Sequence, residues 1–262
     1  MIQRSGLLDA LTPLLTKDVL PDAAVGTAFG ETMAALAGFD FTVVFAYRGQ
    51  ERPIDLYSTF PSADYEIFVS RYQAGPYLLD PFFHAARRRI GGVFRMRELA
   101  PDRFFSSEYF RTYYGETRLA EEIGFFVPIE NGVTVVLSLM RRQQTRAFPA
   151  REFALLKDAE PFVAALVKRF WSDLDLRFDE AHAKQKRKGS PIHAQHGIWQ
   201  RLGLTGREAA IVELVLQGHS SEAVGERLGI ATGTVKVHRR NVYRKLGIAS
   251  QTQLLSLYLR TM

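Results

Sequence analysis

Two hydrophobic rhythms divide this chain: apolar runs mixed with helical spacing through the first two thirds, and helical spacing alone in the last quarter. Near the N-terminus, apolar positions three and four apart over about 5–20 and 22–37 predict two helices. The run FDFTVVFAY, dense in β-branched and aromatic residues, predicts a buried strand, and PIDLYST predicts its neighbour. Helical spacing returns over about 62–73, 81–90 and 106–114. EIGFFVPI and VTVVLSLM then read as strands joined through Glu130-Asn131-Gly132. Asn-Gly tolerates the two positive φ angles of a type I′ turn, so this pair predicts a hairpin. A long helix from about Ala150 to Phe170 closes the region. Helices packed on an antiparallel sheet give an α+β fold, an α-β-α sandwich.

The aromatic residues mark a boundary, because every Phe lies at or before Phe178. Beyond it, Asp179 to Gly197 (DEAHAKQKRKGSPIHAQHG) lacks hydrophobic periodicity and contains Gly189, Ser190 and Pro191. The expected organisation is a sensory or dimerisation domain over 1–178, a linker over 179–199 and an all-α domain over 200–262. Charge follows the same division. Residues 1–171 hold 20 Lys/Arg and 20 Asp/Glu, whereas residues 200–262 hold 9 against 4. Cations concentrated in a short C-terminal segment suit a polyanion, since Lys and Arg release phosphate counterions. The run Lys184 to Lys188 reads as a solvated face.

Other classes find little support. There is no cysteine, hence no disulfide, thiolate chemistry or cysteine zinc site. No stretch approaches the roughly 18 apolar residues of a membrane span, and the first residues lack a secretion signal, so a soluble cytoplasmic protein is expected. No glycine-rich phosphate loop, nucleophile elbow or metal-spaced His/Asp set is present, and His193 and His196 fall in the linker. Neither enzymatic activity nor a cofactor or metal is expected.

The C-terminal segment reads residue by residue. Thr205-Gly206-Arg207-Glu208 is a capping box; Ile211, Leu214 and Val215 give the helix an apolar face, and Gly218 ends it. Ser220 or Ser221 caps a second helix carrying Val224 and Leu228, and Gly229-Ile230-Ala231 turns into a third near Thr232 or Gly233. Two such helices joined by a tight glycine turn predict a helix-turn-helix. On the third helix Val235, Val242 and Leu246 face inward, whereas Lys236, Val237, Arg240 and Arg244 face outward. Lys236, Val237 and Arg240 are the candidate base readers in a DNA major groove. Thr234, Arg239, Arg244 and Lys245 are candidate phosphate contacts. A fourth helix, opened by Ser250-Gln251-Thr252-Gln253, presents Leu254, Leu257 and Tyr258, either as core or as a dimer contact.

These residues resemble the LuxR-type helix-turn-helix. The segment from LTGREAAIVELVLQGHSS through TVKVHRRNVYRKLGI is similar to that family's pattern without a gap, with Ala231 where a capping serine is usual and Gly225 in place of a small alanine. The resemblance implies a transcription regulator whose Lys236, Val237 and Arg240 meet bases. It also implies a pseudo-palindromic duplex operator, a homodimer and RNA polymerase as a candidate partner.

The order of elements over about 1–175 resembles the autoinducer-binding domain of LuxR-type receptors, of GAF- or PAS-like architecture. Phe68, Tyr72, Asp80-Pro81, Met96 and Gly124 stand where that family has an aromatic, a tyrosine, Asp-Pro, a second tryptophan and a glycine. The resemblance makes Phe68, Tyr72, Asp80 and Met96 the candidate ligand pocket. Phe68 has no N–H to give a lactone carbonyl, and Met96 has no flat ring, so a different ligand or none is expected. Asp80 before Pro81 reads equally as a helix cap, and Gly124 as relief of crowding in a strand. Two functions stay open: a ligand-responsive regulator, favoured by an apolar pocket with a few polar groups, and a ligand-independent dimeric DNA-binding protein, favoured by a filled interior.

Overall fold

The computed structural model describes residues 4–115, 118–187 and 195–261. Helices α1 (Arg4–Thr16) and α2 (Asp22–Ala34) precede strands β1 (Phe41–Arg48) and β2 (Ile54–Ser58). Next come α3 (Ser62–Tyr65), widening into a π-turn over Glu66–Arg71, a 3-10 turn over Pro76–Leu79, and α4 (Pro81–Arg87). β3 (Gly92–Arg95), α5 (Met96–Leu99), a 3-10 turn over Phe104–Ser106 and a second π-turn over Phe110–Tyr114 lead to β4 (Leu119–Pro128) and β5 (Val133–Arg142). The N-terminal part closes with α6 (Ala150–Asp158), α7 (Glu160–Phe170) and α8 (Leu174–Arg187). The C-terminal module contains α9 (Gln195–Arg201), α10 (Gly206–Gln217), α11 (Ser221–Leu228), α12 (Thr232–Leu246) and α13 (Gln251–Arg260).

The strands form one antiparallel sheet in the order β2-β1-β5-β4-β3. Both faces are covered, which is why β1 and β5 read as unbroken apolar runs. Val44, Ala46, Phe125 and Leu137 pack with α2 and the α6–α8 helices; Val43, Phe45, Tyr47 and Phe126 pack on the α4 side. The β4–β5 turn has Asn131 at φ 54° and Gly132 at φ 78°, as the Asn-Gly signal requires.

Four elements differ from the sequence expectation. β3 and α5, four residues each, are too short to carry a period and were absent from it. The expected long helix breaks at Ala159, because Pro161 lacks the N–H that would bond the carbonyl of Lys157. Helix α8 runs through Arg187, well into the expected linker. Its start is anchored by buried Leu174 and Phe178, and Arg48 lies 5.0 Å over the Phe178 ring while bonding Asp179 at 2.7 Å. Gly189, Ser190, Pro191 and His193 lie outside the described residues.

The C-terminal module is packed onto the α4 side of the sheet. Trp199 of α9 is buried and stacks on Tyr258 of α13 at 5.6 Å, and one apolar cluster joins both rings to Tyr77, Phe83 and Phe104. Leu254 and Tyr258 are therefore spent in the chain's own core, with Leu257 half-buried.

Candidate nucleic-acid interface and interior pocket

Helix α12 is held by local chemistry at each end of its neighbours. At the start of α10, Thr205 Oγ1 accepts the Glu208 N–H at 3.3 Å and Glu208 accepts the Thr205 N–H at 2.9 Å. Lys245 Nζ lies 2.7 Å from the same carboxylate; this ammonium, with the Thr205 donors, draws Glu208 down to about 2. Lys245, a candidate phosphate contact, ties α12 to the cap of α10 while its side chain stays exposed. Gly218 ends α10 at φ 97°, and Ser220 caps α11 by accepting the Ala223 N–H at 3.1 Å. Gly225 allows the tight turn: a Cβ there would lie 2.6 Å from the Ile230 carbonyl oxygen.

Helix α12 starts at Thr232. Ala231 occupies the cap position with no side-chain acceptor, so Thr232 is the first helical residue and does not serve as the cap. Val235 and Val242 are fully buried, and Leu246 is half-buried against the module. Thr234, Lys236, Val237, Arg240 and Arg244 are exposed, and Val237 keeps 50% of its surface in solvent. Arg239 is half-buried at the margin, its Nη1 bonding Ser221 Oγ at 3.2 Å. Arg244 bonds only its own helix, at Asn241 Oδ1, 3.1 Å.

Inside the N-terminal part, Phe68, Tyr72 and Asp80 line one hollow of about 30 Å³ under the sheet. The π-turn delivers Phe68 and Tyr72 to it, and Phe68 stacks on Phe60 at 4.3 Å. Asp80 performs the capping role: Oδ1 accepts the Phe82 N–H at 2.8 Å, with Pro81 as the first helical residue. Its other oxygen accepts the Tyr72 hydroxyl at 2.6 Å, and Tyr72 meets the Tyr47 hydroxyl at 2.8 Å. Burial pushes Asp80 up to about 6. Met96 lies elsewhere, in a neighbouring hollow of about 240 Å³ with Phe105, Phe110 and Leu119. The two hollows share Tyr114, Leu119 and Glu122 in their walls. Gly124 lies under α4, where a Cβ would come within 2.8 Å of the Phe82 ring; this is the crowding reading.

Glu122 and Tyr47 are polar members of this interior that the sequence reading missed. Burial and the nearby Asp80 charge push Glu122 up to about 8, so it is largely protonated at neutral pH. The signal existed: Glu122, Gly124 and Phe126 alternate along β4, and Phe126 belongs to the α4-side core, so Glu122 faces inward with it. Among the described residues, no group of three or more His, Asp or Glu could hold a metal, and no helix is long and apolar enough to cross a membrane.

Residues 202–258 match the family described as bacterial regulatory proteins, luxR family. Over 183 residues the chain is 31% identical to a candidate HTH-type transcriptional regulator of the exeN 3′ region in Aeromonas salmonicida, spanning 69% of this chain and 93% of that protein. The VqsR LBD domain of Pseudomonas aeruginosa is similar at 28% identity and a TM-score of 0.50, over 63% of this chain and 92% of that one. SdiA of Escherichia coli aligns with 98% of this chain and 96% of its own, at 19% identity and a TM-score of 0.42. With a helix-turn-helix exposing its cationic face and an N-terminal domain similar to the VqsR LBD domain, the chain belongs to the LuxR family of bacterial transcription regulators.

Proposed function

We propose that the protein binds a specific, two-fold related duplex operator as a homodimer, reading bases with Lys236, Val237 and Arg240 and holding phosphates with Thr234, Arg239 and Arg244. The observation that carries this is the α12 ridge, cationic and open on one side and clamped through Val235 and Val242 on the other. An α-helix of this kind fits the major groove, where Arg and Lys bond guanine and an aliphatic group meets a thymine methyl. Selection of full-length protein on a randomised duplex pool tests it. The expected product is two inverted half-sites about one helical turn apart. A pool that stays random at low ionic strength overturns the reading.

The small hollow at Asp80 favours action without an acyl lactone. Asp80 has both oxygens engaged, and the hollow beside it is about the size of one water. Thermal unfolding in a series of acyl-homoserine lactones is expected to show no shift, and a midpoint rising with lactone concentration would reverse this conclusion.

A further inference from the structure

We infer that the N-terminal domain grips the DNA backbone directly, through Arg103 and Arg111 placed beside the reading helix. This rests on α12 being the DNA-reading element. A cleft of about 500 Å³ separates the 103–111 segment from the C-terminal module, and its walls bring Arg103 and Arg111 together with Lys236 and Arg239. Ser221 and Thr232 are among the hydroxyl residues of the lining, and Glu222 is its only carboxylate among the described residues. His219 also lines it, held neutral by burial and by Arg227. None of the ion pairs between described residues engages Arg103, Lys236 or Arg239. Arg111 has one exposed pair with Glu108 at 2.7 Å, a weak competitor for phosphate. Arg103, Arg111 and Arg239 around a cleft whose one lining carboxylate among the described residues is Glu222 suit a phosphodiester and its waters, with Lys236 at the edge toward the bases.

The segment stands beside the reading face without covering it. Thr232 and Arg239 turn toward the cleft and Lys236 stands at its edge; Gly233, Val237, Arg240 and Arg244 form the next stripe, and all four are exposed. A groove taken up on the second stripe brings its flanking phosphates toward the first. Position is fixed by backbone rather than by the arginine side chains. The Arg103 N–H donates to the Gly218 carbonyl at 2.9 Å, and Asp102 Oδ1 accepts the Ser220 N–H at 3.0 Å. Phe104, fully buried, anchors the segment in the core shared by both parts of the chain. A phosphate grip rooted there couples the N-terminal domain to DNA affinity with no change in the reading residues.

The test measures salt-dependent affinity of the full-length protein for a mixed-sequence duplex and for the selected operator. Removing both side chains in Arg103→Ala/Arg111→Ala is expected to flatten the slope of log K against log salt by about 1 per arginine on both duplexes, leaving the operator preference intact. Arg103→Lys/Arg111→Lys is expected to restore the slope, which a purely structural role of the arginines would not produce. Unfolding midpoints equal to wild type confirm that the docked segment is retained. An unchanged slope in the alanine variant, or tighter binding, overturns this inference while leaving the role of α12 intact; wild-type protein that ignores both duplexes at low salt overturns the two together.

Discussion

Arg103 of the N-terminal domain donates its backbone N–H to the carbonyl of Gly218, the residue that ends α10 just before the helix-turn-helix pair, at 2.9 Å. The contact needs glycine twice over. At φ 97° a side chain is strained, and a Cβ would lie 2.7 Å from the Cα of Phe104, which is backbone and cannot swing aside. Gly247 ends α12 at φ 64° with nothing within 4 Å of its Cβ position, so it isolates the strain alone. Gly247→Ala is expected to cost about 1–2 kcal/mol, and Gly218→Ala more than that because the docked segment must also move. Denaturant midpoints of the two variants measure the difference; equal losses would show that docking places no demand on this position.

Helix α12 begins without a side-chain cap, since Ala231 holds the cap dihedrals, φ −64° and ψ 144°, but has no oxygen. Ala231→Ser supplies an acceptor for the second or third amide of the helix. Ala231 is exposed, so the hydroxyl enters without displacing anything. The expected gain is about 0.5–2 kcal/mol, the usual difference between alanine and a serine cap. Chemical denaturation reads it directly, and a variant no more stable than wild type means that the first turn is already satisfied in another way.

Glu122 gives the interior a pH signature. In the folded protein its carboxyl is pushed up to about 8 by burial and by Asp80, from an ordinary 4.5. Between those values the folded state keeps a proton that the unfolded chain has released, so stability falls as pH rises from about 4.5 through 8. Asp80, raised from 3.8 to about 6, acts in the same direction at lower pH. His84 and His219, each lowered to about 4, act oppositely, stabilising as pH rises toward 6.5. Glu122→Gln removes only the first contribution. The melting temperature of the variant minus that of wild type is expected to climb between pH 5 and pH 8, and a flat difference would place the Glu122 carboxylate in contact with water.

What the sequence disclosed was what neighbouring residues decide among themselves. Asn131-Gly132 makes its turn from two backbone preferences, Thr205 and Glu208 cap each other three residues apart, and α12 shows its two faces by spacing alone. Asp80-Pro81 was legible as a cap for the same reason. Contacts between distant segments left no such trace. Tyr47 and Tyr72 meet across 25 residues of chain, and neither a period nor a motif pairs them. Arg103 looked like any surface arginine until the fold set it against Gly218. Met96 shows the limit of alignment by resemblance: its place in the order of elements was read, but β3 and α5, which turn it into the neighbouring hollow, were too short to be seen.

The proposed division of the outer face of α12 between base reading and phosphate holding is open to test by mutation. Lys236 and Arg240 lie one turn apart on the open ridge, with Val237 beside them, whereas Arg244 lies a turn further along, near the C-terminal end. A side chain bonded to a base edge contributes to the difference between operator and random duplex; one bonded to phosphate contributes equally to both. Lys236→Ala and Arg240→Ala are each expected to lose about 1–3 kcal/mol of discrimination with little change on random duplex. Arg244→Ala is expected to weaken both duplexes alike and to reduce the salt slope by about 1. All three residues are exposed, and among the described residues their only side-chain bond is Arg244 to Asn241 at 3.1 Å, so unfolding should not confuse the result. If Lys236→Ala and Arg240→Ala instead lose the same affinity on operator and random duplex, the ridge clings to DNA without reading it, and sequence choice must lie in other residues.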